Sequence, residues 1–168
     1  NYIKSLSFTD NKLMFVYDMG ICSMNPNDRE FKYDIIIKGN NELTDSMVFF
    51  PRSFFTDSKN RFWIGDYTRI SRLEGKKLKT YKTPYFSGTY DRSVFFHEDK
   101  NGNVIAISHD TYLFKYDEKA DTFSVLNTNT NKVVYTSGVQ VKNDYFILGT
   151  SGGVYRLYYN GDYTQFRL

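Results

Sequence analysis

Alanine is almost absent from this 168-residue chain, with Ala106 and Ala120 the only two. Alanine is the best helix former, and its scarcity beside 18% aromatic residues argues against helices and for strands. Cysteine is limited to Cys22, which excludes an internal disulfide and a cysteine-rich zinc site without fixing the redox compartment. No apolar run approaches the ~20 residues that a membrane helix needs. Excess charge of one sign is missing too, since 22 basic and 19 acidic residues leave a net +3. The densest basic stretch, Arg72 to Lys82, is interrupted by Glu74 and reads as a solvated outer strand rather than a nucleic-acid surface. The opening Asn1-Tyr2-Ile3-Lys4 has no initiator methionine or signal peptide, so it reads as a processed or excised piece.

What is present is repetition. Four apolar segments align at Phe15-Val16-Tyr17-Asp18, Trp63-Ile64-Gly65-Asp66, Ile105-Ala106-Ile107-Ser108 and Ile147-Leu148-Gly149-Thr150. Their starts lie 48, 42 and 42 residues apart, the spacing of four-stranded propeller blades. Each copy divides into strands A to D. In the third they fall near Ser93–Glu98, Asn103–Ser108, Tyr112–Tyr116 and Thr122–Leu126. Asn101-Gly102 and Asn160-Gly161 read as two-residue hairpins needing positive φ, and Gly152-Gly153 fits the B–C turn of the fourth copy.

Polarity gives the architecture. The B strands are almost continuously apolar (LMFVY from Leu13, VIAI from Val104, YFIL from Tyr145), which requires cover on both faces. The D strands alternate, as in LKTYK from Leu78. Radially stacked sheets have that gradient from a buried inner part to a half-wet edge. The expected fold is therefore all-β: a β-propeller segment of four four-stranded antiparallel blades, at about 4–38, 52–82, 93–127 and 136–168, part of a larger propeller. A β-sandwich would instead alternate in most strands and lack a fixed period.

The segment Thr56 to Leu73 (TDSKNRFWIGDYTRISRL) resembles the two-component regulator propeller repeat, with its Asp-rich turn, Trp-Ile-Gly-Thr and Gly-Leu-Tyr-Arg. Glu98 to Tyr116 and Asn143 to Leu157 carry the pattern in part, while Asp66 replaces the usual Thr. The resemblance implies the extracytoplasmic, periplasmic sensor region of a hybrid two-component histidine kinase. Such propellers detect oligosaccharides released from glycans; kinase activity would lie on other domains.

Catalytic signatures fail one by one. Asp99 to Asp110 lacks the Gly and Glu of a calcium loop, having Val104 and Asp110 at the sixth and twelfth positions. His97 and His109 fall towards opposite ends of one hairpin, unlike a metal pair. No Gly-x-Ser-x-Gly elbow, phosphate loop or HExxH occurs. Asp18, Asp66 and Asp110 are the candidates for a glycosidase carboxylate pair, but their recurrence at similar strand ends in three copies is better explained by turn chemistry. No cofactor is expected.

The B–C and D–A loops of a propeller share one face. They hold Tyr67, Thr68 and Arg69, then His109, Asp110 and Thr111, with Arg52, Tyr85, Phe86, Tyr90, Arg92 and Tyr135 on the D–A side. Rings that stack on sugar C–H faces beside Arg, Asp and His that bond hydroxyls suit an oligosaccharide, although tyrosines could equally pad blade seams. Tyr67, Arg69, Tyr90, Arg92, His109 and Asp110 are the candidate ligand contacts. A protein–protein scaffold and a propeller-fold hydrolase or lyase remain alternatives. Apolar side chains at the two ends (Phe8, Phe15 and Tyr17; Tyr145, Ile147 and Tyr155) predict an open arc that meets further blades or forms a homodimer. Direct contact with nucleic acid or membrane is not expected.

Overall fold

Short runs of aromatic and β-branched residues, punctuated by turn formers every few positions, pair with their sequence neighbours wherever the intervening turn is short. The computed structural model describes residues 3, 5–9, 11–17, 20–28, 31–36, 51–66, 69–75, 77–81, 94–99, 101–108, 112–128, 135–141, 145–150, 153–158 and 163–166. Among them are sixteen strands in four antiparallel sheets, each an up-and-down meander of four consecutive strands.

Blade one holds β1 (Ser5–Thr9), β2 (Lys12–Tyr17), β3 (Gly20–Met24) and β4 (Phe31–Ile36). Blade two holds β5 (Ser53–Thr56), β6 (Phe62–Gly65), β7 (Ile70–Glu74) and β8 (Lys77–Tyr81). Blade three runs through β9 (Val94–Glu98), β10 (Val104–Ser108), β11 (Tyr112–Asp117) and β12 (Thr122–Thr128). Blade four comprises β13 (Tyr135–Val141), β14 (Tyr145–Thr150), β15 (Gly153–Tyr158) and β16 (Tyr163–Phe166). The first strand of each blade neighbours the first strand of the next, so β1, β5, β9 and β13 line the inside of an arc.

The cores lie between blades. Side chains alternate across each sheet, so every blade has a forward face toward the next and a rear face toward the one before. Met14, Val16 and Ile21 of blade one meet Phe54, Phe62, Ile64 and Leu78 of blade two. Trp63, Ile70 and Tyr81 on the forward face of blade two meet Val94, Phe96, Ala106, Phe114, Tyr116 and Phe123 of blade three. This double cover is why β10 is buried at all five positions, as its continuous apolar sequence requires.

The second seam is tight. A Cβ on Gly65 would lie 2.9 Å from the Val94 Cβ and 2.7 Å from the Ser53 Oγ, so the glycine is there for blade contact. Trp63 sits edge-on to Tyr116 and Phe123, with centroids 4.8 and 5.6 Å away. Its Nε1–H donates to Asp57 Oδ2 at 2.8 Å. Asp57 also opens the A–B turn, its Oδ1 accepting from the amides of Lys59 and Arg61 at 3.0 and 2.9 Å. Burial alone pushes the Asp57 carboxyl up, but the bonds from Trp63 and Arg61 outweigh it and hold it below its ordinary value.

Three expectations need correction. The A–B turn of blade three is not the two-residue Asn101-Gly102 hairpin, because Glu98 pairs with Val104 across five residues. Asp99 closes it by accepting from the amides of Asn101 and Asn103 at 2.8 and 2.9 Å, as Asp57 does in blade two. The first copy is also displaced by one residue. Val16 stands opposite Ser5 and Ile21, as Gly65 stands opposite Ser53 and Ile70, so Phe15 matches Ile64 rather than Trp63. The cause is its shorter A–B connection: Thr9 pairs with Lys12 across two residues, Asn11 taking a φ of 57°. Finally, Tyr155 pairs with Leu148 and lies on the rear side of blade four, not with Tyr145 and Ile147.

Candidate ligand face

Register places the start of strand A, the end of B, the start of C and the end of D at one end of a blade. Ser53, Gly65, Ile70 and Tyr81 stand in that row in blade two. The B–C and D–A loops therefore leave from the same end, and the Asp57 and Asp99 turns occupy the opposite end.

Among the candidate ligand contacts, Arg69 belongs to the described residues. Tyr67, Tyr90, Arg92, His109 and Asp110 lie outside them, as do Asp18, Thr68, Thr111, Tyr85, Phe86, Gly152, Asn160 and Gly161. Arg69 closes the B–C loop of blade two at its base. Its carbonyl accepts from the Asp66 amide at 3.0 Å, and its Nε lies 3.5 Å from Asp66 Oδ2. Asp66 is buried, while the Arg69 side chain keeps a fifth of its surface in solvent. That geometry makes Asp66 an anchor and leaves Arg69 the charged group at the rim. In blade three, Ser108 stands at the same place and its Oγ accepts from the Tyr112 amide at 3.1 Å. The Ser53 hydroxyl donates to the Val94 carbonyl, tying the inner strands of blades two and three. Arg52 fixes the adjoining start of β5, its amide donating to the Gly65 carbonyl at 2.8 Å.

A second polar group, missed by motif reasoning, bridges blades two and three. Asp121 Oδ1 accepts from the hydroxyls of Tyr81 at 2.8 Å and Tyr116 at 2.6 Å, and Oδ2 pairs with Lys79. Arg72 adds a bond from Nη1 to the Tyr116 hydroxyl at 2.6 Å. The Lys79 ammonium, then the two tyrosines, hold the Asp121 carboxyl far below its ordinary range. Burial, then the bond to Asp121, pushes the Tyr81 hydroxyl well above its own. Nearby, Lys59 and Arg61 pair with Glu118, and Ser58 donates to Glu98 from its amide at 2.9 Å and its hydroxyl at 2.6 Å. Blade two is thus basic and blade three acidic along this seam. Every member is engaged in the seam, which makes it a latch between blades rather than an open site.

His97, in β9 beside the Asp99 turn, is mostly buried, and burial lowers its pKa to about 4. Among the described residues, no group of three His, Cys, Asp or Glu could hold a metal ion, and no helix is long and apolar enough to cross a membrane.

No family model matches the sequence, and no curated protein matches it. Solved structures do. The chain is similar to the extracellular domain of a hybrid two component system from B. thetaiotaomicron, with TM-score 0.72 and 17% identity over 97% of this chain and 22% of that one. It is similar to virginiamycin B lyase from Staphylococcus aureus, with TM-score 0.68 and 13% identity over 99% of this chain and 55% of that one. YCF48 bound to D1 peptide gives TM-score 0.66 and 10% identity over 92% of this chain and 50% of that one. At these identities the likeness shows the fold: the four sheets are consecutive blades of a β-propeller. The chain spans about a fifth to a half of the lengths of these proteins.

Proposed function

We propose that this chain is a ligand-sensing segment of an extracytoplasmic, periplasmic β-propeller, belonging to a hybrid two-component system and binding a glycan-derived oligosaccharide on its B–C and D–A face. The observation that carries the reading is the Asp66–Arg69 pair, a buried carboxylate bracing a guanidinium that keeps a fifth of its side-chain surface in solvent, at the base of a loop that also contains Tyr67. An arginine braced in this way offers directed donors to hydroxyls, and neighbouring tyrosines offer faces for sugar rings. Likeness to the extracellular domain of a hybrid two component system supports the setting and, with it, a part in signal transduction. The histidine kinase would lie on other domains.

Two other readings have support. The likeness to YCF48 with a bound peptide favours a protein-interaction scaffold. The likeness to a lyase favours an enzyme, against which stands the use of the described rim carboxylate, Asp66, in a buried ion pair.

A glycan array, followed by calorimetry on the best ligand, tests the proposal. Arg69→Ala, Tyr67→Ala, Tyr90→Ala and Arg92→Ala should each weaken binding by roughly tenfold, equivalent to about 1.4 kcal/mol. Lys119→Ala, in the exposed C–D turn at the opposite end of blade three, should leave it unchanged. Loss of binding in Lys119→Ala with none in the four rim variants would reverse the assignment of faces.

A further inference from the structure

The connection from blade two to blade three is held at both of its feet by bonds that cross the seam. Residues 82–93, which include the candidate contacts Tyr90 and Arg92, run from Tyr81 at the end of β8 to Val94 at the start of β9. Both feet are buried and stand at the ligand-face end of their blades. Val94 belongs to blade three, and its carbonyl accepts from the Ser53 hydroxyl of blade two. Tyr81 belongs to blade two, and its hydroxyl donates to Asp121 of blade three at 2.8 Å.

Different physics fixes the two feet. At Val94 the blades are in direct packing contact through Ser53, Gly65 and Val94, with space for no side chain at Gly65. At Tyr81 the spacing depends on one carboxylate. Asp121 accepts from the hydroxyls of Tyr81 and Tyr116, pairs with Lys79 and lies 3.4 Å from Nη1 of Arg72. Tyr81, Lys79 and Arg72 all come from blade two. Water reaches the outer side of the group, since the side chains of Asp121 and Lys79 keep 32% and 41% of their surface in solvent. The Asp121 backbone shows that the carboxylate is what this position requires. Its φ of 47° lies in the left-handed region, where the C–D turn of blade two has Gly75 at 61°. Glycine takes that conformation at no steric cost, yet blade three carries an aspartate whose side chain grips the neighbouring blade.

We propose that Asp121 is a positioning residue for the ligand face proposed above, on which this inference rests: by gripping Tyr81 it sets where the 82–93 connection leaves blade two, and so how Tyr90 and Arg92 are presented beside Arg69. The coupling runs from the C–D turn of blade three, through the Tyr81 side chain, to the opposite end of the seam. It makes the outer half of this seam a clasp that salt weakens, because a partly exposed ion pair is screened while the apolar contact at Val94 is not.

Trp63 is the single tryptophan, fully buried in this seam with its ring centre 5.7 Å from that of Tyr81, so its fluorescence reads the clasp without any added sugar. Asp121→Asn keeps a residue that tolerates positive φ and removes the charge. Its acrylamide quenching constant should be roughly threefold that of the wild type, the shift expected from losing a partly exposed ion pair, with unchanged far-UV circular dichroism. Sodium chloride at about 1 M should raise quenching in the wild type and leave Asp121→Asn unaltered. Hydrogen exchange in the peptide covering 82–93 should accelerate several-fold in Asp121→Asn and stay the same across β14 and β15. Calorimetry with the oligosaccharide ranked first on the array should show binding weakened several-fold. If Asp121→Asn loses its dichroism, Lys79→Gln removes the same ion pair from a more exposed side chain and takes its place. An unchanged quenching constant, or an equal salt response in variant and wild type, would overturn the clasp. Greater quenching with unaltered exchange over 82–93, or with undiminished binding of that oligosaccharide, would overturn the positioning role. Failure of every array oligosaccharide to bind would contradict the ligand face itself, while quenching and exchange would still decide the clasp.

Discussion

Trp63→Ala should unfold at a denaturant midpoint well below that of the wild type, with a loss of about 3–5 kcal/mol, the range for truncating a buried large aromatic. Three costs converge on this residue. The indole fills the seam between blades two and three, fully enclosed by Tyr81, Tyr116 and Phe123. Its Nε1–H is one of the donors that hold the buried Asp57 carboxylate, so truncation also weakens the turn that Asp57 closes. The guanidiniums of Arg61 and Arg72, each 5.5 Å from the indole centre, lose an aromatic face. Trp63→Phe separates these contributions. It keeps a ring in the seam but drops the donor to Asp57, and should cost less than Trp63→Ala. A total stability of 5–15 kcal/mol is usual for a domain, so the alanine variant should approach the limit of folding. An unchanged midpoint would mean that the two blades are not packed face to face through this residue.

Stability should also fall between pH 6.5 and pH 4, a decline that begins well above the range in which carboxylates titrate. His97 has its pKa lowered by burial to about 4 from a reference of 6.5. The folded protein therefore keeps the imidazole neutral at a pH where the unfolded chain takes up a proton. The favourable contribution is complete above 6.5, declines as pH drops, and is exhausted near 4, where both states are protonated. The difference of about 2.5 pH units corresponds to about 3 kcal/mol. Below that window, the depressed Asp57 and Asp99 carboxyls take over, their stabilisation being lost as pH falls through their folded values. His97→Phe isolates the histidine. Phe55 holds the same register in blade two, so the repeat already accommodates that ring. Urea titrations of both proteins across pH 4 to 7 should show a slope in the wild type that is much reduced in His97→Phe. Equal slopes would place the titration elsewhere.

Much of the architecture could be read from the residues, for an identifiable reason. A strand covered on both faces cannot alternate, so LMFVY, VIAI and YFIL betray stacked sheets, and their spacing gives the blade length. The division of loops between two ends follows from the meander alone. Register was harder. LMFVY is apolar throughout, so nothing in it distinguishes Phe15 from Met14 as the partner of Trp63. The two-residue turn after Thr9 decides that, by pairing Ser5 with Val16. The five-residue turns of blades two and three depend on carboxylates reaching back to backbone amides. An Asp four positions before Arg61 and before Asn103 was the available signal. The Lys79–Asp121 and Arg72–Tyr116 contacts join residues more than forty positions apart on different blades, beyond the reach of any local pattern. For the ligand face, the sequence picked out loops rather than geometry, and Arg69 is the contact whose bracing can be described.

The account rests most heavily on the claim that this chain binds its ligand and leaves it intact. The decisive measurement is mass spectrometry of the best array oligosaccharide after prolonged incubation with a stoichiometric amount of the protein, paired with a binding titration of wild type and Arg69→Ala. The account predicts saturable binding by the wild type, weakened in Arg69→Ala, and an oligosaccharide of unaltered mass in both. A shortened or dehydrated product that forms with the wild type and not with Arg69→Ala would contradict it and make the chain an enzyme.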